Sequence, residues 1–177
     1  MSLLTGQELL IGQVQSLVTR LSDRSMKLAI AESCTGGLLS ALITEIPGSS
    51  RVLERGFVTY SNEAKADMLS VPMELIENHG AVSDEVARAM ALGALKNSDA
   101  QITVSITGIA GPGGGTDTKP VGLVHFAACG VTKSAPNPLC IAVEKRYGDI
   151  GRAQVRWQAV ATAIQLLEEL VKKLDSI

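Results

Sequence analysis

The chain has 177 residues and a formal net charge of −2 at pH 7, a length that suits one domain, expected over residues 1–177, with a sizeable core. Hydrophobic residues make up 46% of the chain and aromatic residues only 3%. The slightly acidic charge and the scarcity of aromatic rings argue against a nucleic-acid-binding surface.

Hydrophobic periodicity and boundary residues predict alternating helices and strands. The first helix begins with a capping box of Thr5 and Glu8, and Ser83 is placed to cap a later helix. The predicted strands are residues 27–33, 55–60, 101–107, 121–129 and 139–147. The predicted helices are residues 5–25, 36–46, 62–70, 73–80 and 83–98, and a last helix that begins at about residue 152.

This order of elements predicts a three-layer α/β/α domain with a mixed, mostly parallel five-stranded sheet. Helices connect the first three strands, which should therefore run parallel, whereas strand four follows without a helix and should run antiparallel. One edge of the sheet then gathers the carboxyl ends of strands one, two, three and five. Open α/β sheets bind ligands at that edge.

The cysteines and the chain termini bear on the cellular compartment. Cys34, Cys129 and Cys140 show no zinc-ligand spacing with the two histidines, and an odd cysteine count fits a reducing compartment better than a disulfide scaffold. The first residues lack a secretory signal pattern, and no apolar run is long enough to span a membrane. We therefore expect a cytoplasmic protein without a metal or a cofactor.

The segment "AESCTGGLLS" (residues 31–40) contains the end of the first strand and the start of the next helix. Ser33 and Thr35 are placed either to cap the next helix or to meet a ligand. Two glycines at a helix start lower the stability of the helix. Their lack of side chains would let the backbone N–H groups of Gly36 and Gly37 approach an anion or an oxyanion closely. Cys34 is a rival nucleophile, or a small buried residue.

Two residues, one at the end of the second strand and one in the helix after it, are candidates for the same edge. Lys65 lies in the first turn of a short helix, where a cation is poorly placed against the dipole. It is either a solvated lysine or a desolvated base that accepts the proton of Ser33. Tyr60 is either packing at the rim or a partner for a planar ligand.

The segment "GIAGPGGG" (residues 108–115) is neither a Walker A loop nor a GxGxxG motif. It is either a flexible hairpin connection or a backbone cradle for phosphate. Thr107 precedes it inside the predicted cleft. Arg146 and Arg152 flank a turn at the same edge and are candidate phosphate ligands.

Several of these segments, in this order, resemble the CinA C-terminal-domain family, whose members include stand-alone nicotinamide-nucleotide amidases. The resemblance covers nearly the whole chain and rests on "AESCTGG", "RGFVTYSNEAK", "HGAVS", "SITGIAGPGGG" and "KPVG". Larger relatives carry a further N-terminal domain. Because one helix precedes the first strand here, we expect the stand-alone form.

The resemblance implies deamidation of nicotinamide mononucleotide to nicotinate mononucleotide and ammonia, a three-layer sheet fold and a homodimer. Carried over by motif, Ser33 is the nucleophile, Lys65 is its base, and Tyr60 lies with them. Family members often have Gly-Asp-Arg before the last helix, whereas this chain has "GDIGRAQVR". Arg152 then stands on the motif arginine but Gly151 replaces the acid, so Arg146 stays as the alternative.

The expected ligand is thus a small pyridine nucleotide, not nucleic acid or a membrane. A non-catalytic pyridine-nucleotide-binding module and a competence-related interaction module are the alternative functions. The predicted substrate-binding residues are Thr35, Gly36, Gly37, Thr107, Gly108, Gly111, Gly113 and Arg152.

Overall fold

The computed structural model describes residues 6–134 and 136–176, with side chains from Leu9 onward. The predicted capping box of Thr5 and Glu8 lies outside this description. Within it, five strands form one sheet and α-helices cover both faces. In chain order the elements are α1 (Gly6–Asp23), β1 (Leu28–Glu32), α2 (Leu38–Thr44), a 3₁₀ turn (Ser49–Arg51), β2 (Leu53–Val58), α3 (Asn62–Leu69), α4 (Met73–His79), α5 (Asp84–Lys96), β3 (Ile102–Gly108), β4 (Leu123–Gly130), β5 (Leu139–Arg146) and α6 (Arg152–Leu174).

The strand order is β2-β1-β3-β4-β5. Strand β1 pairs in parallel with β2 and β3, and β4 is antiparallel to both β3 and β5. The predicted mixed sheet with an antiparallel fourth strand is therefore confirmed. Its physical cause is connection length: helical crossovers return the chain to start a parallel strand, and the helix-free connections do not. The carboxyl ends of β1, β2 and β3 consequently meet at one edge.

The two faces of the sheet are packed differently, as β1 shows. Leu28 and Ile30 point into the core beneath α1, α2 and α6. Ala29 and Ala31 point to the opposite face, where α3, α4 and α5 pack. Small side chains on that face let α5 lie close to the sheet.

Hydroxyl groups join β3 to α5 across this narrow gap. Thr103 Oγ1 donates to the Ala91 carbonyl at 2.9 Å, and Ser105 Oγ donates to the Ala87 carbonyl at 2.6 Å. All four residues are fully buried, so these bonds satisfy hydroxyls that would otherwise be costly to bury. They hold α5, and the turn before it, in register with the sheet edge.

One local prediction differs from the structure at the start of α2. Gly36 and Gly37 lie before the helix, with φ of 59° and 95°, instead of within its first turn. Glycine adopts this left-handed conformation without the steric penalty of a side chain, which accounts for the pair. Ser83 does cap α5 as predicted, because its hydroxyl accepts from Val86 N at 3.3 Å.

The odd cysteine count favours a reduced protein over a disulfide scaffold, and for one pair of cysteines that prediction is wrong. Cys129 and Cys140 form a disulfide, since the β4–β5 register places them directly opposite each other. Cys34 is free and buried. Over the described ranges, no helix is both long and apolar enough to cross a bilayer.

Candidate active site

A cavity of about 270 Å³ lies at the edge where β1, β2 and β3 end. It is bounded by the residues after β1, the start of α3, the turn before α5, the glycine loop after β3 and the first turn of α6. Most of the predicted site residues line it: Ser33, Tyr60, Lys65, Thr107, Gly108, Gly111, Gly113 and Arg152. Thr35, Gly36 and Gly37 are not among the lining residues.

Ser33 directly follows β1, and its backbone N–H donates to the Ile106 carbonyl of β3 at 2.9 Å. Side chains alternate along a strand, so Ser33 projects toward α3, on the face opposite to that of Glu32. Its hydroxyl lies 3.1 Å from the side-chain nitrogen of Lys65. Ser33 does not cap α2, whose N-cap residue is Gly37.

Lys65 is buried, not solvated, with 1% of its surface exposed. Besides Ser33, its side-chain nitrogen contacts the carbonyl oxygens of Thr59 at 2.8 Å, Ser61 at 3.3 Å and Tyr60 at 3.5 Å. A neutral amine has two N–H donors and one lone pair. When carbonyl oxygens of residues 59–61 accept those two hydrogens, the lone pair is left to accept the proton of the Ser33 hydroxyl.

Burial is the main influence on the ionisation of this amine. It lowers the pKa of Lys65 from the usual 10.5, against smaller opposing effects of Cys34 and Glu63. Removing an ammonium from water penalises its charged form. A lysine with a lowered pKa, within hydrogen-bond distance of a serine hydroxyl, is equipped to act as a general base.

Cys34, the rival nucleophile, also lines the cavity. Burial raises the pKa of its thiol to about 11. The thiolate is the reactive form of cysteine, so this residue is almost entirely an unreactive thiol at neutral pH. The geometry and the ionisation both favour Ser33 as the nucleophile.

The turn after Ser33 does not have the role that the glycine pattern suggests. Gly36 N donates to the Ser33 carbonyl at 3.0 Å, and Gly37 N donates to Glu32 Oε2 at 3.1 Å. These two N–H groups are already engaged and do not form an oxyanion hole. Thr35 is fully buried, away from the cavity.

The glycine loop forms another wall of the cavity. Thr107 Oγ1 donates to the Ala81 carbonyl at 2.7 Å, which joins the start of this loop to the turn before α5. Gly111 has a φ of 81°, and a Cβ there would lie 2.6 Å from a methyl of Val121. Both the conformation and the packing therefore require glycine at this position.

Arg152 spans the mouth of the cavity. Its guanidinium donates to the Gly111 carbonyl and to the Tyr60 hydroxyl, each at 2.9 Å. Arg146, the alternative, instead donates to Glu144 at 2.6 Å and does not line the cavity. A guanidinium has five N–H donors, so Arg152 keeps capacity for an anionic ligand.

Three residues near the site carry contacts that the sequence analysis did not assign. Glu32 accepts hydrogen bonds from the start of α2. Arg156 donates to the Thr35 carbonyl at 2.8 Å, and Lys119 donates to the Val82 carbonyl at 2.8 Å. The spacing of Arg152 and Arg156, one helical turn apart, was a signal for the second arginine.

The site offers a nucleophile, a base and a cation around one cavity, which is the equipment for acyl transfer on an anionic substrate. No group of three or more His, Cys, Asp or Glu side chains is arranged to hold a metal ion in residues 9–134 and 136–176.

Comparison with known proteins places this architecture in a family. The model of the CinA C-terminal domain matches residues 12–171. A CinA-like protein of Parasynechococcus marenigrum is 48% identical over 161 residues, which are 90% of this chain and 36% of the relative. A putative competence-damage inducible protein of Symbiobacterium thermophilum is 55% identical over 125 residues, 71% of this chain and 29% of the relative. The chain thus spans about a third of the length of these two relatives.

Solved structures agree with the sequence matches. The competence/damage inducible protein CihA of Agrobacterium tumefaciens has a TM-score of 0.86 and 47% identity, covering 96% of this chain and 99% of that one. A CinA superfamily protein of Escherichia coli has a TM-score of 0.84 and 31% identity, covering 96% and 94%. The arrangement of helices around the mixed sheet is therefore shared with both.

Proposed function

We propose that this chain, which belongs to the CinA C-terminal domain family, is an amidohydrolase that converts nicotinamide mononucleotide to nicotinate mononucleotide and ammonia in pyridine-nucleotide recycling. The observation that carries the proposal is the 3.1 Å contact between Ser33 Oγ and the buried amine of Lys65. The identity of the substrate comes from the family resemblance. A serine and lysine pair in a cavity suits attack on a carboxamide carbon.

In the first half of the reaction, neutral Lys65 takes the proton of Ser33 while Oγ attacks the carboxamide carbon. The tetrahedral intermediate collapses as Lys65 returns that proton to the leaving nitrogen, and ammonia departs. In the second half, Lys65 takes a proton from water, the resulting hydroxide attacks the ester, and the proton returns to Ser33 Oγ. The product is the carboxylic acid, which gives its proton to ammonia and leaves as the carboxylate, and no electrons are exchanged with another reactant.

The oxyanion of the intermediate needs hydrogen-bond donors. Since the N–H groups of Gly36 and Gly37 are engaged elsewhere, we assign this role to backbone N–H groups of Cys34 and of Ala110, Gly111, Gly113 and Gly114 in the glycine loop, which line the cavity with Ser33. Binding of the 5′-phosphate is assigned to Arg152, whose guanidinium lies at the cavity mouth. Tyr60, 60% exposed beside it, is placed to stack on a planar ring or to hydrogen-bond to the ligand.

The test is incubation of the purified protein with nicotinamide mononucleotide, nicotinamide riboside, nicotinamide and the dinucleotide, with ammonia and the acid product measured separately. We expect equal amounts of the two products from the mononucleotide and little from the phosphate-free compounds. Tight binding of the mononucleotide without ammonia release would instead support the non-catalytic binding module.

A further inference from the structure

Glu32 is a buried carboxylate next to the proposed nucleophile in the chain. It is the last residue of β1 and has no exposed surface. Its oxygens accept four hydrogen bonds: Oε2 accepts from Gly37 N and Leu39 N, both at 3.1 Å, and Oε1 accepts from Ser40 N at 2.9 Å and Ser40 Oγ at 2.8 Å. All four partners act as donors, which matches an ionised carboxylate with acceptors only.

These contacts replace a missing helix cap. The first N–H groups of a helix have no partner within it and need an acceptor from outside. The N-cap residue of α2 is Gly37, which has no side chain to supply one. The carboxylate of Glu32 reaches over from the preceding strand and takes that place, where the positive end of the helix dipole favours a negative charge.

The capping contact closes a ring through the nucleophile segment. The backbone runs from Glu32 through Ser33 to Gly37, and the hydrogen bond from Gly37 N returns to the side chain of Glu32. The backbone of Glu32 is held as well, because its carbonyl accepts from Thr59 N at 2.8 Å. Ser33 therefore lies in a turn that is held to Glu32 at both ends, by the peptide bond at its start and by the hydrogen bond from Gly37 N at its end.

Glu32 is absent from the cavity lining, because its side chain points to α2 while that of Ser33 points to α3. Any effect on the reaction therefore passes through the backbone of Ser33. We propose that Glu32 is a positioning residue: its carboxylate holds the turn so that Ser33 Oγ stays within hydrogen-bond distance of Lys65. This inference rests on the proposed nucleophilic role of Ser33.

The central variant is Glu32→Gln, which is nearly isosteric. It keeps one acceptor oxygen but presents an NH₂ group to donors that need an acceptor. A misplacement of about 1 Å can cost about a hundredfold in rate. We expect kcat for the mononucleotide to fall by about ten- to a hundredfold, with KM changed less than about threefold because Arg152 is untouched.

A second readout does not depend on the substrate. Phenylmethanesulfonyl fluoride sulfonylates an activated serine, with Ser33 Oγ forming the S–O bond as fluoride leaves, and mass spectrometry measures the labelling rate. We expect Glu32→Gln to slow labelling of Ser33 by a factor similar to its loss of kcat. If the wild type is not labelled at Ser33 and releases no ammonia, the proposed function fails. If the wild type is labelled and Glu32→Gln is labelled equally fast, only the positioning role fails.

The matched control is Thr103→Val. It removes a buried hydroxyl and its bond to Ala91, and it lies at the far end of β3 from the cavity, opposite Ala29 in the register. It should lower the melting temperature but leave Ser33 labelling per folded molecule within about twofold. If Thr103→Val slows Ser33 labelling as much as Glu32→Gln does, the effect of Glu32→Gln is explained by general destabilisation and the proposal is overturned.

If circular dichroism shows Glu32→Gln to be unfolded, Glu32→Asp takes its place. Aspartate keeps the charge but is one methylene shorter, so it cannot reach all four donors in the same backbone. We expect folded protein with labelling slowed by about tenfold. Wild-type labelling in folded Glu32→Asp would contradict the proposal.

Discussion

The side-chain nitrogen of Lys65 lies 3.1 Å from the Ser33 hydroxyl, across a separation of 32 residues. Ser33 lies at the sheet edge because it directly follows β1, and Lys65 lies on α3, in the connection between β2 and β3. The other contacts of the amine are backbone carbonyl oxygens of residues 59–61. The pair is therefore held by backbone on both sides, as a nucleophile and base need to be.

Ser33→Ala should fold normally and lose nearly all turnover. Loss of a triad nucleophile costs about a millionfold in kcat in a well-studied serine enzyme, and we expect a loss approaching that size. Cys34→Ala should keep most activity, because burial holds that thiol in its protonated form. Steady-state ammonia release with circular dichroism measures both. Near-wild-type turnover by Ser33→Ala would exclude it as the nucleophile.

The activity should rise with pH through the pKa of Lys65, which burial lowers from its usual 10.5. Below that pKa the side chain is an ammonium and cannot accept the serine proton. Above it the amine is neutral, and kcat/KM should level off. Lys65→Arg should show no rising limb and very low activity, because a guanidinium stays protonated throughout the range. Activity of Lys65→Arg within about tenfold of the wild type would contradict general-base catalysis by Lys65.

Arg152→Ala should raise KM for the mononucleotide by roughly ten- to a hundredfold, as expected for the loss of a charge-assisted hydrogen bond worth about 1.5–3 kcal/mol. The phosphate-free riboside should be affected little. Arg146→Ala is the matched control, since Arg146 contacts Glu144 outside the cavity, and its KM should stay near that of the wild type. Equal losses on the nucleotide and the riboside for Arg152→Ala would mean that it does not bind the phosphate.

Gly93→Ala should destabilise the fold. A Cβ at this position in α5 would lie 1.9 Å from the Leu69 carbonyl oxygen at the end of α3, so the helices must separate. Overpacking costs about 1–3 kcal/mol or more in the free energy of unfolding. At Gly12 in α1, no described atom lies within 4 Å of an added Cβ, and Gly12→Ala should stabilise by about 0.5–1 kcal/mol. Urea unfolding compares the two; equal stability of both variants would contradict the close α3–α5 contact.

The protein should be a homodimer in solution. Leu9 and Ile11 on α1 are 57% and 39% exposed, and exposed apolar residues on one helix suit association. The family resemblance implies the same state. Light scattering at micromolar concentration should give twice the mass of one chain, and Leu9→Glu should shift it toward the monomer. A monomer mass for the wild type at all concentrations would refute the dimer.

Much of the fold follows from local sequence. Alternation of short apolar runs with amphipathic segments predicts the five strands and the main helices. The absence of a helix between the third and fifth strands predicts the reversal of β4. The carboxyl ends of parallel strands must then meet at one edge of the sheet. The sequence therefore predicts that Ser33, Lys65 and Thr107, which lie at or just after such ends, come together. These inferences need only periodicity and connection length, properties that a sequence carries within a few residues.

Only the tertiary structure decided the contacts between segments that are distant in the chain. Arg152 reaches Tyr60 across 92 residues, and the choice between it and Arg146 depended on where α6 begins relative to the glycine loop. The disulfide of Cys129 and Cys140 depends on a strand register, which a shift of one residue would break. The sequence predicts that Gly36 and Gly37 begin a ligand-binding helix start, yet Gly37 N donates to the carboxylate of Glu32 and Gly36 N donates to the Ser33 carbonyl. The sequence alone determined which groups reach the sheet edge, because strand order and chain direction follow from local patterns. Which of those groups face each other depended on distances of a few ångströms, and packing of the whole chain sets those distances.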